Sequence, residues 1–405
     1  MKTVTAAIAK AGPLPRVYIC EGQYAEHVKL SRALSIYGGF ACGTWSYTGA
    51  KPKIGPNDVG FGLQISNAMT PIVVADLEIV AQAGTKQQPS SIAMFVTRST
   101  NVTARRLNVQ AAAGFPGTPG DAAKPAEPGV TSSPSVNGNV GTTSTGGGSN
   151  VCTCSSGGTT TGGKGGDLGS ISPDGATGAP AQIPPTNGTG AGQTRVLCEA
   201  SGLPAQPGSD APAITDAVAP PIGTLDENGW AVGSGVAGEN GTPGQGGGGG
   251  GSRTTGTASQ VGGGGGGGCG GCGGGGGGGG TGGGSSVSIL SFESNLKLEA
   301  STLTAVDAGQ GGIGMAGAPG GSGGNGGGPG NGACPGAGGG TGGKGGSGSG
   351  GSGGISAGVL YKGTPPVVDT DTDGAITLGK GGMKGIGGGQ GNDGKPGDAK
   401  KILGL

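Results

Sequence analysis

The sequence predicts an all-β fold: a right-handed parallel β-helix of about five rungs, with long glycine-rich loops emerging from one corner. A unit of three short alternating strands recurs along the chain, and glycine-rich segments lie between its copies. Alternation gives each strand one inward and one solvent-facing side, and three-strand units must stack to share a core. A β-sandwich is the alternative. It is disfavoured because turns of the Asn-Gly type are missing between the repeated strands.

The repeat is clearest in two copies that flank the longest glycine-rich segment. Residues 90–109 read SSIAMFVTRSTNVTARRLNV, and residues 285–305 read SSVSILSFESNLKLEASTLTA. Both begin with Ser-Ser, continue with an apolar run, and end with an Asn followed by two short alternating pairs. Because the unit resumes after the gap, the gap is interpreted as an insertion within a repeat architecture.

The first element is predicted to be a capping helix within residues 1–15. Its apolar residues follow the helical spacing i, i+3, i+4 and i+7: Val4, Ala7, Ile8 and Ala11. This helix would cover the open end of the first rung. A signal peptide is the alternative, but the segment is short and weakly apolar for one. Export would therefore need a start upstream of Met1 or another route.

The rest of the chain is predicted to alternate between rungs and insertions. Rungs 1–3 take residues 16–110, rung 4 takes 285–306 and rung 5 takes 355–380. The glycine-rich parts are an insertion at 111–284, an insertion at 307–354, and a tail at 381–405 with a short terminal strand. Each long insertion begins after the third strand of its rung, so the loops are expected to share one corner.

Glycine supplies 108 of 405 residues, and most of it lies beyond residue 110. Within 321–354 glycine recurs at nearly every third position, which is the period of a polyproline-II-type chain. Disorder is the alternative for these segments, because they contain little apolar surface to bury. The sequence leaves disorder and polyglycine-type bundling open.

Residues 17–49, VYICEGQYAEHVKLSRALSIYGGFACGTWSYTG, carry a resemblance to a known family. The run V-Y-I-C-x-G-x-Y-x-E, then S-x-Y-G-G-F and C-x-x-W-x-Y, resembles the opening of glycine-rich, pectin-lyase-like β-helix surface proteins of myxobacteria and related bacteria. The resemblance continues to about residue 378 once the glycine-rich segments are skipped. It implies a secreted or surface-exposed β-helix, and it implies no reaction.

Eight cysteines, an even number, favour an oxidising compartment. Cys20 ends the first strand and Cys42 follows the third, so these two are predicted to form a disulfide. The others lie in glycine-rich segments and are predicted to form disulfides of unknown pairing: Cys152, Cys154, Cys198, Cys269, Cys272 and Cys334. Zinc and redox sites are less favoured because poly-Gly supplies neither a ligand set nor a strand-to-helix context.

Charge and residue inventory exclude several classes of function. Lys plus Arg equals Asp plus Glu at 23 each. The sequence therefore has no excess of positive charge that would predict nucleic-acid binding. No apolar run is long enough for a membrane span. His27 is the only histidine and is interpreted as an exposed residue beside a strand. An HExxH zinc site is therefore impossible.

One weak metal site is predicted, and no other cofactor. Asp369, Asp371 and Asp373 precede Gly374, as in the first half of an EF-hand calcium loop. The twelfth position holds Lys380 where a bidentate Glu is needed. The alternative is a solvated turn before the next strand.

The predicted function is a non-enzymatic structural or adhesive protein located outside the cell or on its surface. Its expected partners are extracellular matrix, polysaccharide or cell-surface neighbours. The alternative is a carbohydrate-binding or carbohydrate-cleaving protein, such as a polysaccharide lyase or glycosidase. Acidic and basic candidates for cleavage lie on successive rungs: Asp76, Glu78, Arg105 and Arg106. A groove of aromatic and carboxylate side chains on one sheet would favour this alternative. Outward aromatic residues are sparse, with Tyr37 the best case, which counts against it.

Overall fold

A computed structural model describes residues 2–126, 128–130, 136–169, 172–181, 188–210, 213 and 215–405. The predicted segments 1–15 and 111–284 include residues outside these ranges. Three short helices are described: α1 (Val4–Lys10), α2 (Arg195–Ser201) and α3 (Thr370–Gly374). The other regular elements are strands: β1 (Arg16–Cys20), β2 (Gln23–Tyr24), β3 (Val28–Leu30), β4 (Ser35–Phe40), β5 (Lys53–Ile54), β6 (Leu63–Ser66), β7 (Ile72–Ala75), β8 (Glu78–Val80), β9 (Ser91–Thr97), β10 (Val102–Arg105), β11 (Asn108–Gln110), β12 (Pro128–Val130), β13 (Asn150–Cys154), β14 (Thr159–Gly162), β15 (Gly223–Asp226), β16 (Gly229–Val232), β17 (Ser286–Phe292), β18 (Leu296–Glu299), β19 (Thr302–Thr304), β20 (Ser356–Lys362), β21 (Val367–Val368), β22 (Ile376–Thr377) and β23 (Ala399–Gly404).

Eighteen of these strands form three parallel six-stranded sheets. The first sheet has the order β1-β4-β7-β10-β18-β21, the second β2-β5-β8-β11-β19-β22, and the third β3-β6-β9-β17-β20-β23. Register is maintained across the long insertion, since Val102 pairs with both Ile72 and Leu296. Two antiparallel sheets, β12-β13-β14 and β15-β16, lie within the segment 111–284.

The prediction of a single right-handed parallel β-helix of about five rungs is therefore wrong. The strands form three parallel sheets side by side, each with six strands. Strands of two residues, such as β2 and β22, are too short to show an alternating pattern, so the sequence undercounts them. The glycine-rich segments were predicted to be loops leaving one corner, whereas they pair with one another through their backbones.

The main core lies on the inward faces of the three sheets. Val28, Leu30, Leu63, Ile65 and Val74 are fully buried there. Burying a side chain of this size stabilises the fold by about 1.5–3 kcal/mol. Helix α1 packs its apolar face against this core. Its first turn is held by the Glu26 carboxylate, which accepts a hydrogen bond from Val4 N at 2.6 Å.

The repeated Ser-Ser pairs satisfy backbone groups where the third sheet meets the glycine-rich segments. Ser90 Oγ accepts from Ser285 N at 2.9 Å, and Ser285 Oγ accepts from Ile355 N at 2.9 Å. In the same way Ser91 Oγ accepts from Ala112 N at 2.8 Å. Because a buried N–H group without an acceptor is costly, serine recurs at these positions.

The glycine-rich segments form ordered layers bonded at every third residue. Gly321 N, Gly324 N and Gly327 N donate to Cys272 O, Cys269 O and Gly266 O at 2.7, 2.8 and 2.7 Å. This three-residue period is that of a polyproline-II-type chain. A Cβ atom on Gly264 would lie 1.9 Å from Gly250 O, so the segments approach too closely for any side chain. Bundling, one of the two alternatives left open by the sequence, is the arrangement in the described residues.

Four disulfides join all eight cysteines. Cys20 bonds to Cys42 beside the first sheet. Three disulfides connect distant glycine-rich segments: Cys152–Cys269, Cys154–Cys272 and Cys198–Cys334. Such bonds stabilise the fold by constraining the unfolded chain, and they are typical of proteins in oxidising environments.

A second apolar cluster covers the outer face of the third sheet. Strands β9 and β17 are buried along their whole length because the β15–β16 hairpin lies over them. Leu225 of the hairpin is buried in this cluster, and Phe61 and Trp230 pack at its edge. The hairpin is also held by an ion pair between Arg98 and Glu227.

Candidate functional site

Five aromatic side chains form one contiguous surface at the start of the first sheet. This aromatic patch consists of Tyr18, Tyr37, Phe40, Trp45 and Tyr47. The rings of Tyr18 and Tyr37 are stacked with centroids 5.7 Å apart, and Phe40 meets Tyr18 edge-on at 5.3 Å. The ring centroid of Phe40 lies 6.5 Å from that of Trp45 and 5.8 Å from that of Tyr47.

Strand register and two glycines build the patch. Tyr18 of β1 and Tyr37 of β4 are direct register partners, so their rings project from the same face. Gly39 has φ +87°, and a Cβ atom there would lie 2.6 Å from Tyr47 Cε2. At Gly38 a Cβ atom would lie 2.1 Å from Asp76 O. Gly39 therefore lets the ring of Tyr47 rest directly on the backbone of β4, and Gly38 lets β4 approach the backbone at Asp76.

The loop 41–52 carries Trp45 and Tyr47 and is tied to the sheet. The Cys20–Cys42 disulfide anchors its beginning to the end of β1. Further along, Trp45 N donates to Ala41 O at 3.0 Å, and Tyr47 forms an antiparallel bridge with Phe40. The two loop aromatics are therefore held by covalent and backbone contacts.

The patch presents a large apolar surface to solvent. Tyr18, Trp45 and Tyr47 are 46%, 53% and 57% exposed, while Tyr37 and Phe40 are half-buried. A contiguous exposed patch of this kind marks an interaction surface. Of these five residues, the sequence pattern indicates only Tyr37 as an outward aromatic side chain. The matching position of Tyr18 on its strand, beside buried Val17 and Ile19, was a signal that could have revealed it.

An ion pair between buried Asp76 and half-exposed Arg106 borders the patch. Asp76 is 4% exposed and accepts two hydrogen bonds from Arg106, Nε to Oδ1 at 2.7 Å and Nη2 to Oδ2 at 2.6 Å. Tyr47 Oη donates to Asp76 Oδ1 at 3.1 Å. The hydrogen bond to Asp76 raises the pKa of the Arg106 guanidinium above its ordinary value, so this side chain remains a cation. Its side chain is 44% exposed and can still reach a ligand.

A groove of about 330 Å³ continues from the patch toward α1. Tyr18, Trp45 and Tyr24 line it together with residues of the helix. Tyr24 Oη donates to Cys20 O at 3.0 Å. Burial, followed by the nearby Glu26 carboxylate, raises the pKa of the Tyr24 phenol, so this group stays neutral and remains a hydrogen-bond donor.

The candidates for cleavage chemistry are held in separate ion pairs. Asp76 binds Arg106, while Glu78 Oε1 lies 3.6 Å from Lys53 Nζ. Arg105 Nε lies 2.6 Å from Glu299 Oε2. The structure thus brings Asp76 and Arg106 together at the edge of the patch, and it pairs Glu78 and Arg105 with other partners.

The predicted calcium residues begin α3. Asp369 is the N-cap and accepts from Thr372 N at 2.8 Å, while Asp373 Oδ2 lies 3.1 Å from Lys401 Nζ. Among the described residues, no group of three or more His, Cys, Asp or Glu side chains is placed to hold a metal ion. Asp369 and Asp373 therefore have separate structural contacts, one at the start of α3 and one to Lys401.

Comparison of the chain with known protein families, with curated proteins and with solved structures finds no match in any of the three. The resemblance to glycine-rich surface proteins therefore stays a prediction. In the described part of the chain, no helix has the length and apolar character needed to cross a membrane.

Proposed function

We propose that this chain is a non-enzymatic, extracellular adhesive protein that binds polysaccharide through the aromatic patch. The observation that carries the proposal is the continuous set of five rings, three of them about half exposed, on a disulfide-anchored sheet edge. Sugar rings carry apolar C–H faces that pack against aromatic faces. Their hydroxyls need hydrogen-bond partners at the rim.

The rim of the patch meets this second requirement. The half-exposed Arg106 guanidinium donates hydrogen bonds, and the exposed hydroxyls of Thr44 and Ser46, which bond each other at 2.9 Å, keep further capacity to donate and accept. These groups flank the rings on the same loop and at the adjacent turn. A hydroxyl-rich ligand would therefore find apolar and polar contacts side by side.

Rigidity supports binding without a large entropy loss. The loop 41–52 is fixed by the Cys20–Cys42 disulfide, and Tyr47 is fixed by its hydrogen bond to Asp76. Because ordering a flexible loop reduces affinity, a surface that is already ordered retains more of its contact energy.

An extracellular, adhesive role is supported by other parts of the molecule. Four disulfides are typical of proteins exposed to oxidising surroundings. The glycine-rich layers add an ordered platform. Binding is proposed over cleavage because Glu78 and Arg105 each have an oppositely charged partner of their own.

The test is a binding assay with a panel of soluble and insoluble polysaccharides at fixed salt and pH. The wild type should bind at least one member, and Trp45→Ala should weaken that binding about tenfold or more, a change of about 1.4 kcal/mol. Met383→Ala is the matched control, because it removes an apolar side chain that is 69% exposed in a distant glycine-rich segment. Failure to bind any polysaccharide, or equal binding by Trp45→Ala, would contradict the proposal.

A further inference from the structure

A separate pocket lies between the β15–β16 hairpin and the third sheet. We refer to it as the hairpin pocket, and its volume is about 490 Å³. Its aromatic and aliphatic wall is formed by Phe61, Ile92 and Trp230, and its rim carries Gln87, Gln88 and Asn228. It shares no residue with the aromatic patch. Ligand pockets usually measure about 300–1,000 Å³ and combine an apolar wall with a few polar groups.

We propose that the hairpin pocket binds one uncharged saccharide unit. Among the described residues that line it there is no Asp, Glu, Lys, Arg or His side chain, so this lining offers no partner for a charged ligand. A buried charge without a partner is strongly disfavoured, and the pocket therefore selects a neutral ligand.

The amide rim determines the hydrogen-bonding class of this ligand. Each amide side chain has one oxygen that accepts and one NH₂ group that donates two hydrogen bonds. A sugar hydroxyl both donates and accepts, so it can use either end of Gln87, Gln88 or Asn228. The rings of Phe61 and Trp230 provide faces for the apolar C–H surface of the same sugar.

Both walls of the pocket are held in place. On one side, His27 Nδ1 lies 2.8 Å from Phe61 O and its Nε2 lies 2.9 Å from Asp58 Oδ1, which fixes the loop that carries Phe61. On the other side, Glu227 pairs with Arg98 and Leu225 is buried beneath the hairpin. The pocket is therefore formed before a ligand arrives, which lowers the cost of binding.

The two tryptophans allow the pocket to be observed independently of the patch. In Trp45→Phe, Trp230 is the only tryptophan, so its emission reports on the hairpin pocket. This variant is titrated with neutral monosaccharides and disaccharides, with glucuronate as the charged analogue and adenosine as a flat non-sugar ligand. A saturable change is expected with at least one neutral sugar.

Variants that keep the shape of the pocket test its polar rim. Gln87→Leu and Gln88→Leu, each in the Trp45→Phe background, should weaken neutral-sugar binding about tenfold, while Gln110→Leu outside the pocket should leave it unchanged. The absence of a saturable change with every neutral sugar would overturn the proposal. So would tighter binding of glucuronate or adenosine, or equal binding by the two rim variants. Polysaccharide binding that depends on Trp45 is a separate measurement, so failure of one proposal is distinguishable from failure of the other.

Discussion

Replacing Gly327 with alanine should destabilise the protein strongly, whereas the same change at the next residue should not. Gly327 is buried between glycine-rich segments, and a Cβ atom there would lie 2.1 Å from Asn139 O and 2.6 Å from the carbonyl carbon of Asn139. At Gly328, which is exposed, a Cβ atom would have no atom of the other described residues within 4 Å, its two chain neighbours aside. The two positions therefore form a matched pair within one segment.

The size of the effect follows from the contacts at Gly327. Relieving a 2.1 Å approach requires the segments to separate by more than about 1 Å, because ordinary contacts with a Cβ atom begin near 3.4 Å. Overpacking of this kind costs about 1–3 kcal/mol. The separation also weakens the hydrogen bond from Gly138 N to Asn325 O, which joins the same two segments and is worth about 0.5–1.5 kcal/mol. We expect Gly327→Ala to lose about 2–4 kcal/mol of unfolding free energy.

At Gly328 we do not expect substitution by alanine to lower the unfolding free energy. Its backbone does not adopt a positive φ, so alanine fits without strain and restricts the unfolded chain. This substitution should be neutral or should stabilise the fold by up to about 1 kcal/mol. Chemical denaturation with the disulfides intact measures both changes, and amide hydrogen exchange locates them. Equal stability of the two variants would refute the close-packed arrangement of the glycine-rich segments.

Three further predictions concern other parts of the molecule. Cys20→Ser with Cys42→Ser should lower the unfolding free energy by about 3 kcal/mol and weaken polysaccharide binding, as measured by denaturation and the panel assay. The Thr372 hydroxyl, and the N–H groups of Thr372 and Ala300, lower the pKa of Asp369 below its ordinary value of 3.8. The stability that ionised Asp369 contributes is therefore present above pH 3.8 and is lost as pH falls through its lower pKa in the folded state. When unfolding free energy is measured at decreasing pH, Asp369→Asn should lose less stability than the wild type. The His27 ring contacts Phe61 O at 2.8 Å and Asp58 Oδ1 at 2.9 Å, so His27→Ala should speed amide exchange in the loop 56–61 relative to the wild type at the same pH.

The sequence predicts the longer strands well because their chemistry is local. The segments 92–96, 102–104 and 107–109 correspond to β9, β10 and β11, and the second Ser-Ser copy begins at β17. In β10 buried residues alternate with more exposed ones, whereas β9 and β17 are recognised as apolar runs and are buried on both faces. The two-residue strands have no such pattern, and the overall architecture was misjudged partly for that reason.

The glycine-rich segments could not be assigned because glycine has no side chain to specify a partner. Their pairing depends on carbonyl and amide groups that are identical along the chain, and on the anchoring disulfides. The β15–β16 hairpin shows a more visible signal that was missed. Its turn, Glu227–Asn228, is followed directly by Gly229, and an Asn-Gly pair at such a place is a hairpin signal inside a segment interpreted as an insertion.

The candidate site was only partly visible in the sequence. Tyr18 and Tyr37 each lie at an outward position of an alternating strand, which indicates that they share one face of the sheet. These two of the five patch residues could therefore have been predicted. Trp45 and Tyr47 lie in the loop 41–52, where no periodicity fixes direction. Their position depends on the disulfide and on the close approach of Tyr47 to Gly39, which appear only once the fold is known.

The most direct test of polysaccharide binding by the aromatic patch is the emission of Trp45 in Trp230→Phe during titration with a polysaccharide that the wild type binds. Trp45 is then the only tryptophan and lies within the patch. We expect a saturable change in its emission whose midpoint matches the binding constant. The midpoint should move to higher concentration in Tyr18→Ala, which removes the ring on the neighbouring strand. Binding at full affinity with unchanged Trp45 emission would place the ligand elsewhere and contradict the account.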